Sequence, residues 1–231
     1  MDSAPFGSHR DVPGMPPRIV DALHQAWDRL ARPGTWWSAG QQLALAGLAR
    51  SAFAQRTEAP WLRNHDAERA RADAAGIEPA ARDAIFKLAA DARTIDREWA
   101  QRSVDAIGDA AYVELVAIAA TMAAIDAFAE GLGVPSEPLP DEPLDAGRPS
   151  GDIPDGVGDI GAYVDMLEPF PGPNVGRALT LCPTGNRLYR DVGQALYHDG
   201  EFLDLAWDRP ITRPQAELVA TTVSAASECF Y

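Results

Sequence analysis

The sequence predicts an all-α protein. Apolar residues recur at helical spacing along most of the chain, and Pro, Gly, Ser and Thr fall where helices start and stop. No segment alternates as a strand does. The pattern resolves into two helical halves joined by a Pro/Gly/Asp-rich linker, with a flexible N-terminal arm at 1–17, an N-terminal half at 18–133, the linker at 134–160 and a C-terminal half at 161–231.

Taken in order, residues 1–17 are polar and rich in Pro and Gly, so a loose arm is expected. Ile19, Leu23, Trp27 and Leu30 then mark one face of a helix over 18–31, ended by Pro33-Gly34. Thr35 is the expected cap of a longer helix carrying Trp36, Leu43, Ala46 and Phe53. Residues 57–76 are charged and weakly patterned, a loop or marginal helix. Pro79 opens a helix to Arg93 as a first-turn proline, and Thr94 is the expected cap of another to about Ile107. Residues 111–133 are apolar nearly all round and rich in Ala, as a buried helix is, with Gly131 and Gly133 terminating it. Beyond the linker, helices are expected from about Asn174, near Leu188–Tyr197, and from Thr212-Arg213-Pro214-Gln215, a capping-box pattern.

Composition narrows the function classes. The net charge of −14 repels phosphate backbones and no Lys/Arg run offsets it, so nucleic acid is not an expected partner. The first residues lack the apolar core and positive lead of a signal peptide, and no charge-free apolar run approaches about 20 residues. With two cysteines, Cys182 and Cys229, a secreted disulfide framework is excluded, and a cytoplasmic protein without a membrane span is expected.

Three segments share a pattern. Tyr112-Val113-Glu114-Leu115-Val116-Ala117 recurs as Gln215-Ala216-Glu217-Leu218-Val219-Ala220, with a fainter echo in Gln41-Gln42-Leu43-Ala44-Leu45-Ala46. Ala-rich helical composition accounts equally well for the middle copy. In the first and last copies the match extends further: Gln42 lies twelve positions before Ala54, and Glu217 twelve before Cys229.

The stretch from Glu217 to Tyr231, with Cys229 near its end, resembles the core motif of alkylhydroperoxidase D-like proteins, which include the carboxymuconolactone decarboxylase family. That motif runs Glu, eleven residues, Cys, two residues, Cys, then a His. Leu167–Pro183 is similar to the stretch preceding the motif in the peroxidase-related branch, and Asp109–Val134 to the helix closing that branch's first half. The resemblance implies a helical bundle and a peroxidase-related antioxidant oxidoreductase, with Glu217 in proton relay and Cys229 as the first of the redox pair. It also implies a peroxide substrate, a dithiol reductant and a homo-oligomer, with neither cofactor nor metal. The second redox residue and the histidine would fall beyond Tyr231, so these 231 residues alone are expected to be inactive. In the N-terminal copy Gln42 stands for the glutamate and Ala54 for the cysteine, as in a structural relic. Two alternatives stay open: a non-catalytic helical member of the family, and a lactone decarboxylase-like lyase, which needs a His or Glu base in a polar pocket.

The chemistry sets its own geometric condition. A peroxidatic group must ionise at neutral pH, which takes a helix N-terminus or a nearby cation. On one straight helix Glu217 and Cys229 would stand about 18 Å apart. The motif therefore needs a turn near Ala226-Ser227, with Ser227 as a new N-cap, or a glutamate from another element. Elsewhere, Cys182 before Pro183 reads as a buried inert thiol, pairing with Cys229 only if the fold joins them. His9, His24, His65 and His198 lack metal-ligand spacing. Trp36-Trp37 and Phe53 read as core, and Glu130, Glu137 and Glu142 as solvated charge.

The family position after Tyr231 is that of the second redox residue, so an in-frame UGA codon for selenocysteine is expected there. A selenol is ionised at neutral pH with little help from its surroundings. Sequencing the gene past the Tyr231 codon checks this: UGA followed in frame by a His codon supports it, and UAA or UAG ends it.

Overall fold

In the computed structural model, residues 6–172, 174–197 and 210–226 are described. Helix accounts for 62% and strand for 2%, so the all-α class holds. The organising element is α7 (Asp109–Leu132), which the Ala-rich apolar run forms between Gly108 and Gly133, passing through Gly131. Because nearly every side of it is apolar, it can be surrounded. It packs against α3 (Ala39–Ala54), α5 (Pro79–Ala90), α6 (Arg97–Ile107) and α9 (Pro183–Leu196). Leu115, Ile118, Met122 and Ile125 on α7 meet Leu45 and Leu48 of α3, Ile85 of α5, and Leu188 and Val192 of α9 in one apolar cluster. By length and composition α7 is also apolar enough to cross a membrane, which the run-length expectation above did not anticipate. Here it is the central helix of the bundle.

The remaining helices cover this core. Helix α2 (Pro17–Leu30) lays Ile19, Val20, Leu23, Trp27 and Leu30 inward and packs on α9 and α3. Helix α4 (Asp66–Ala74) closes on α3, preceded by a 3-10 turn at Pro60–Leu62, so 57–76 is partly helical. A second 3-10 turn, Ala92–Thr94, follows α5. Helix α8 (Asn174–Arg177) is a single turn, and α10 (Arg213–Ala226) carries no buried residue. An antiparallel pair of two-residue strands, β1 (Val157–Gly158) and β2 (Met166–Leu167), is too short to show any period in sequence.

Three expectations about helix starts and the arm are corrected. Helix α3 is capped by Ser38, not Thr35: the Gln41 amide donates to Ser38 Oγ at 3.4 Å and the Ser38 amide to Gln41 Oε1 at 3.0 Å. Thr35 is fully buried for another purpose. Helix α6 is capped by Asp96, whose Oδ1 accepts from the Trp99 amide at 2.7 Å, and not by Thr94. The arm is docked where it is described. Phe6, the N-cap of the one-turn helix α1 (Gly7–Arg10), and His9 within it are both 0% exposed, and the Phe6 ring lies 5.0 Å from Trp27. The Phe6 amide donates to Glu137 Oε2 at 2.7 Å. One large aromatic outweighs the polarity of its neighbours.

The Pro/Gly/Asp-rich segment after α7 has no helix or strand from 134 to 156, yet it is tied to the bundle. Trp27 Nε1 donates to Pro138 O at 2.8 Å, Arg50 Nη1 to Glu137 O at 2.7 Å, the Leu144 amide to Ala31 O at 2.7 Å and the Gly151 amide to Thr35 O at 2.8 Å. Arg50 also grips the nearly buried Asp126 of α7 through Nε and Nη2, at 2.8 to 3.2 Å. The guanidinium stands 5.4 Å from the centre of the Trp27 ring. Glu137 is thus a bonded group rather than a solvated charge.

The docked arm predicts its own energetics. Phe6→Ala should cost about 3–5 kcal/mol in urea unfolding, the usual range for a buried Phe truncation. Burial holds the His9 imidazole below its ordinary 6.5, so the unfolded chain takes up the proton first on acidification. Stability contributed by His9 is present above 6.5 and is lost as pH falls through that value toward the folded one. A His9→Phe variant should lack that acid-side loss; an unchanged profile would dismiss it.

Candidate functional site

Two glutamates in the same local sequence meet opposite fates. Glu114 sits on α7 and is 1% exposed. Its Oε1 accepts from the Thr35 amide at 2.9 Å and from Thr184 Oγ1 at 3.0 Å. Its Oε2 accepts from the Trp36 amide at 2.7 Å and the Trp37 amide at 3.1 Å. Three consecutive amides therefore converge on one carboxylate. The proton order around it can be read off. Thr184 spends its proton on Glu114, so in the 2.6 Å contact between the two hydroxyls Thr35 is the donor. The Thr35 amide is shared with Thr184 Oγ1 at 2.8 Å.

Local sequence explains why the loop can reach the carboxylate. Pro33-Gly34 ends the α2 connection, and a Cβ at Gly34 would overlap Glu114 Oε1 and stand 2.8 Å from Gln42 Nε2. Only glycine fits there. The first and middle repeats are thereby brought to one point, since Gln42 on α3 and Glu114 on α7 flank the same glycine. Gln42 is buried and donates to Arg32 O at 2.6 Å. Ala54 is the last residue of the same unbroken helix α3, about 18 Å along its axis from Gln42, so these two motif positions do not meet.

Cys182 lies beside this cluster as the N-cap of α9, with 0% exposure and its Sγ 3.6 Å from Thr184 Oγ1. A helix N-terminus ordinarily acidifies a thiol. Here burial, and after it the Glu114 charge, push the thiol up. The buried-thiol reading of Cys182 stands, although it opens a helix. Burial likewise pushes the Glu114 carboxyl above its ordinary 4.5, against the donations from Trp36, Thr35, Thr184 and Trp37.

Glu217 is the other glutamate, on α10 with its side chain 46% exposed. Tyr197 Oη donates to its Oε2 at 2.9 Å, and Arg213 Nε lies 3.5 Å from its Oε1. The Tyr197 hydroxyl is pushed up by burial and by its bond to Glu217. Thr212 opens α10 as its capping pattern predicts: its amide donates to Gln215 Oε1 at 2.8 Å. Leu218, Val219 and Val223 on the same helix are exposed by 67%, 59% and 58%. Cys229, the other predicted site residue, lies outside the described residues, as does His198. Among the described residues no three His, Cys, Asp or Glu gather at a metal-binding distance.

The sequence reading did not single out Glu114. Its signal was a carboxylate standing alone in the apolar run between Asp109 and Asp126, which must be either paired or functional. Compared with family models, curated proteins and solved structures, the chain matches none.

Removing the buried carboxylate strands three amides, each worth about 1–3 kcal/mol unsatisfied, so Glu114→Ala should cost about 3 kcal/mol or more. Gly34→Ala should destabilise comparably by displacing the carboxylate. The raised Glu114 carboxyl binds its proton more tightly in the folded state. Its contribution to stability is therefore full at low pH and falls as pH rises from 4.5 toward the folded value. Urea midpoints across that window should show the fall in the wild type and not in Glu114→Gln.

Proposed function

We propose that the chain is a peroxidase-related protein of the alkylhydroperoxidase D-like kind, with its chemistry on α10 and the residues that follow. The observation that carries the reading is Glu217. It is half exposed, held by Tyr197 and Arg213 on a helix with no buried residue among those described, and so remains open to a reacting partner. In the other two copies the glutamate position is either buried and bonded, as Glu114 is, or taken by Gln42, whose copy has Ala54 at the cysteine position.

The reaction fits these groups. A thiol or selenol attacks the outer oxygen of a hydroperoxide, an alcohol leaves, and Glu217 relays the proton it needs. The sulfenic or selenenic acid so formed condenses with the Cys229 thiol and releases water. A dithiol donor then reduces the bond, restores both groups and becomes a disulfide. The attacking group is the second redox residue of the family motif, which these 231 residues do not include.

A second reading, a non-catalytic helical module, is favoured by one observation: in the N-terminal copy both motif positions are taken up by packing, with Gln42 bonded to backbone and Ala54 at the end of an unbroken helix.

Peroxide turnover with a dithiol reductant decides between them. The 231-residue chain should show no turnover above buffer, and the Cys229 alkylation rate should follow pH as an ordinary thiol's does. Appending a cysteine directly after Tyr231, at the family spacing, with a following histidine, should confer turnover. That gain should fall about 100-fold in Glu217→Gln and vanish in Cys229→Ser. A folded extended chain without activity would leave the non-catalytic module.

A further inference from the structure

We infer that the cleft where the C-terminal end of α2, the Arg32–Gly34 turn and the first turns of α3 and α9 meet is a binding site for a small oxyanion, a carboxylate or phosphate group.

The chain carries a net charge of −14, yet this cleft is lined by Arg29, Arg32 and Arg187. Arg29 is committed, since its Nη2 meets Asp191 Oδ2 at 2.5 Å. The Arg32 and Arg187 guanidinium groups have no side-chain partner among the described residues, and both residues are exposed. In an acidic protein, two uncommitted guanidinium groups over one cavity stand against the overall charge balance. Some surface arginines find carboxylates among the described residues, Arg56 with Glu130, Arg63 with Asp91 and Arg102 with Glu98, and others such as Arg71, Arg148 and Arg190 do not; what marks this cleft is that two such groups line one cavity.

The floor is polar and fixed. Gln42 and Thr184 line it together with Gly34. Gln42 spends one Nε2 proton on Arg32 O, and the other remains to be donated. Beneath Gly34 the Glu114 carboxylate is already met by three amides and the Thr184 hydroxyl, so its charge does not claim the arginines. Two forked guanidinium groups and an amide donor suit a planar carboxylate or a phosphate better than a neutral ligand.

Size restricts the ligand. The cavity volume is about 120 Å³. At about 10–15 Å³ for each water by the same measure, it holds a small anion with some of its water. A nucleotide would not fit inside. This site does not rest on the peroxidase reading, because Glu217 is not part of its lining.

Isothermal titration calorimetry of the 231-residue chain at constant ionic strength tests it, with inorganic phosphate and succinate as separate probes. One or both should bind saturably, one per chain. Arg32→Gln and Arg187→Gln should each weaken binding about tenfold or more. Arg190→Gln, exposed on the same helix but outside the cleft, should bind as the wild type does. Binding of succinate alone would assign a carboxylate ligand, and of phosphate alone a phosphorylated one. The proposal is overturned if neither probe saturates by about 10 mM. It is equally overturned if Arg32→Gln and Arg187→Gln bind like the wild type, or if Arg190→Gln weakens binding as much as they do.

Discussion

A carboxylate removed from water must be met by donors or it will not stay ionised, and the fold around α7 is built to meet one. Glu114 faces the amides of Thr35, Trp36 and Trp37 and the hydroxyl of Thr184. Those groups come from the turn between α2 and α3 and from the first turn of α9. One side chain on the central helix therefore fixes where two chain segments far apart in sequence arrive. The requirement runs outward. The turn must come close, so position 34 is glycine. Thr35 must point inward, so the cap of the helix that follows falls three residues later, at Ser38. The first turn of α9 must approach α7, and Gly185 allows it: a Cβ there would stand 2.9 Å from the Ala117 Cβ.

A largely buried ion pair secures the other end of α7. Asp126 lies twelve residues beyond Glu114, about 18 Å along the axis, and is gripped by Arg50 of α3. The same guanidinium reaches Glu137 O, so the irregular segment after α7 is tied back to the bundle at the point where Phe6 and Trp27 also close it. A buried pair of this kind is weak evidence of net stability, but breaking one partner is costly. Its contribution here is placement: α3 and α7 are held in register at both ends by polar contacts that apolar packing alone would not specify.

Periodicity made the helices legible, because a stripe of Ile19, Leu23, Trp27 and Leu30 has one economical way to be buried. Their starts were less so. Thr35 and Thr94 are good caps by residue type, and each lost to a better-placed neighbour, Ser38 and Asp96, because a cap is chosen by where the chain must go as well as by chemistry. The arm misled for the opposite reason: its composition is that of a loop, and one phenylalanine docks it. Of the two glutamates, Glu217 stood out in the sequence through its motif and the capping pattern before it. Glu114 carried the same motif and was set aside as helical composition, since nothing in the local sequence tells which of two such helices will be enclosed.

That enclosure is what separates the two glutamates chemically. Leu115, next to Glu114, is 0% exposed, whereas Leu218, next to Glu217, is 67% exposed. The same Glu-Leu-Val-Ala run thus sits once on a helix packed by four others and once on a helix with no buried side chain among those described. A carboxylate 1% exposed, with both oxygens met by fixed donors, offers no face to a substrate. One held by a tyrosine hydroxyl and a neighbouring arginine at the surface can exchange its partners for water or for a substrate. Packing therefore leaves one copy of the repeated motif open to solvent, and encloses the other, which holds the bundle in shape.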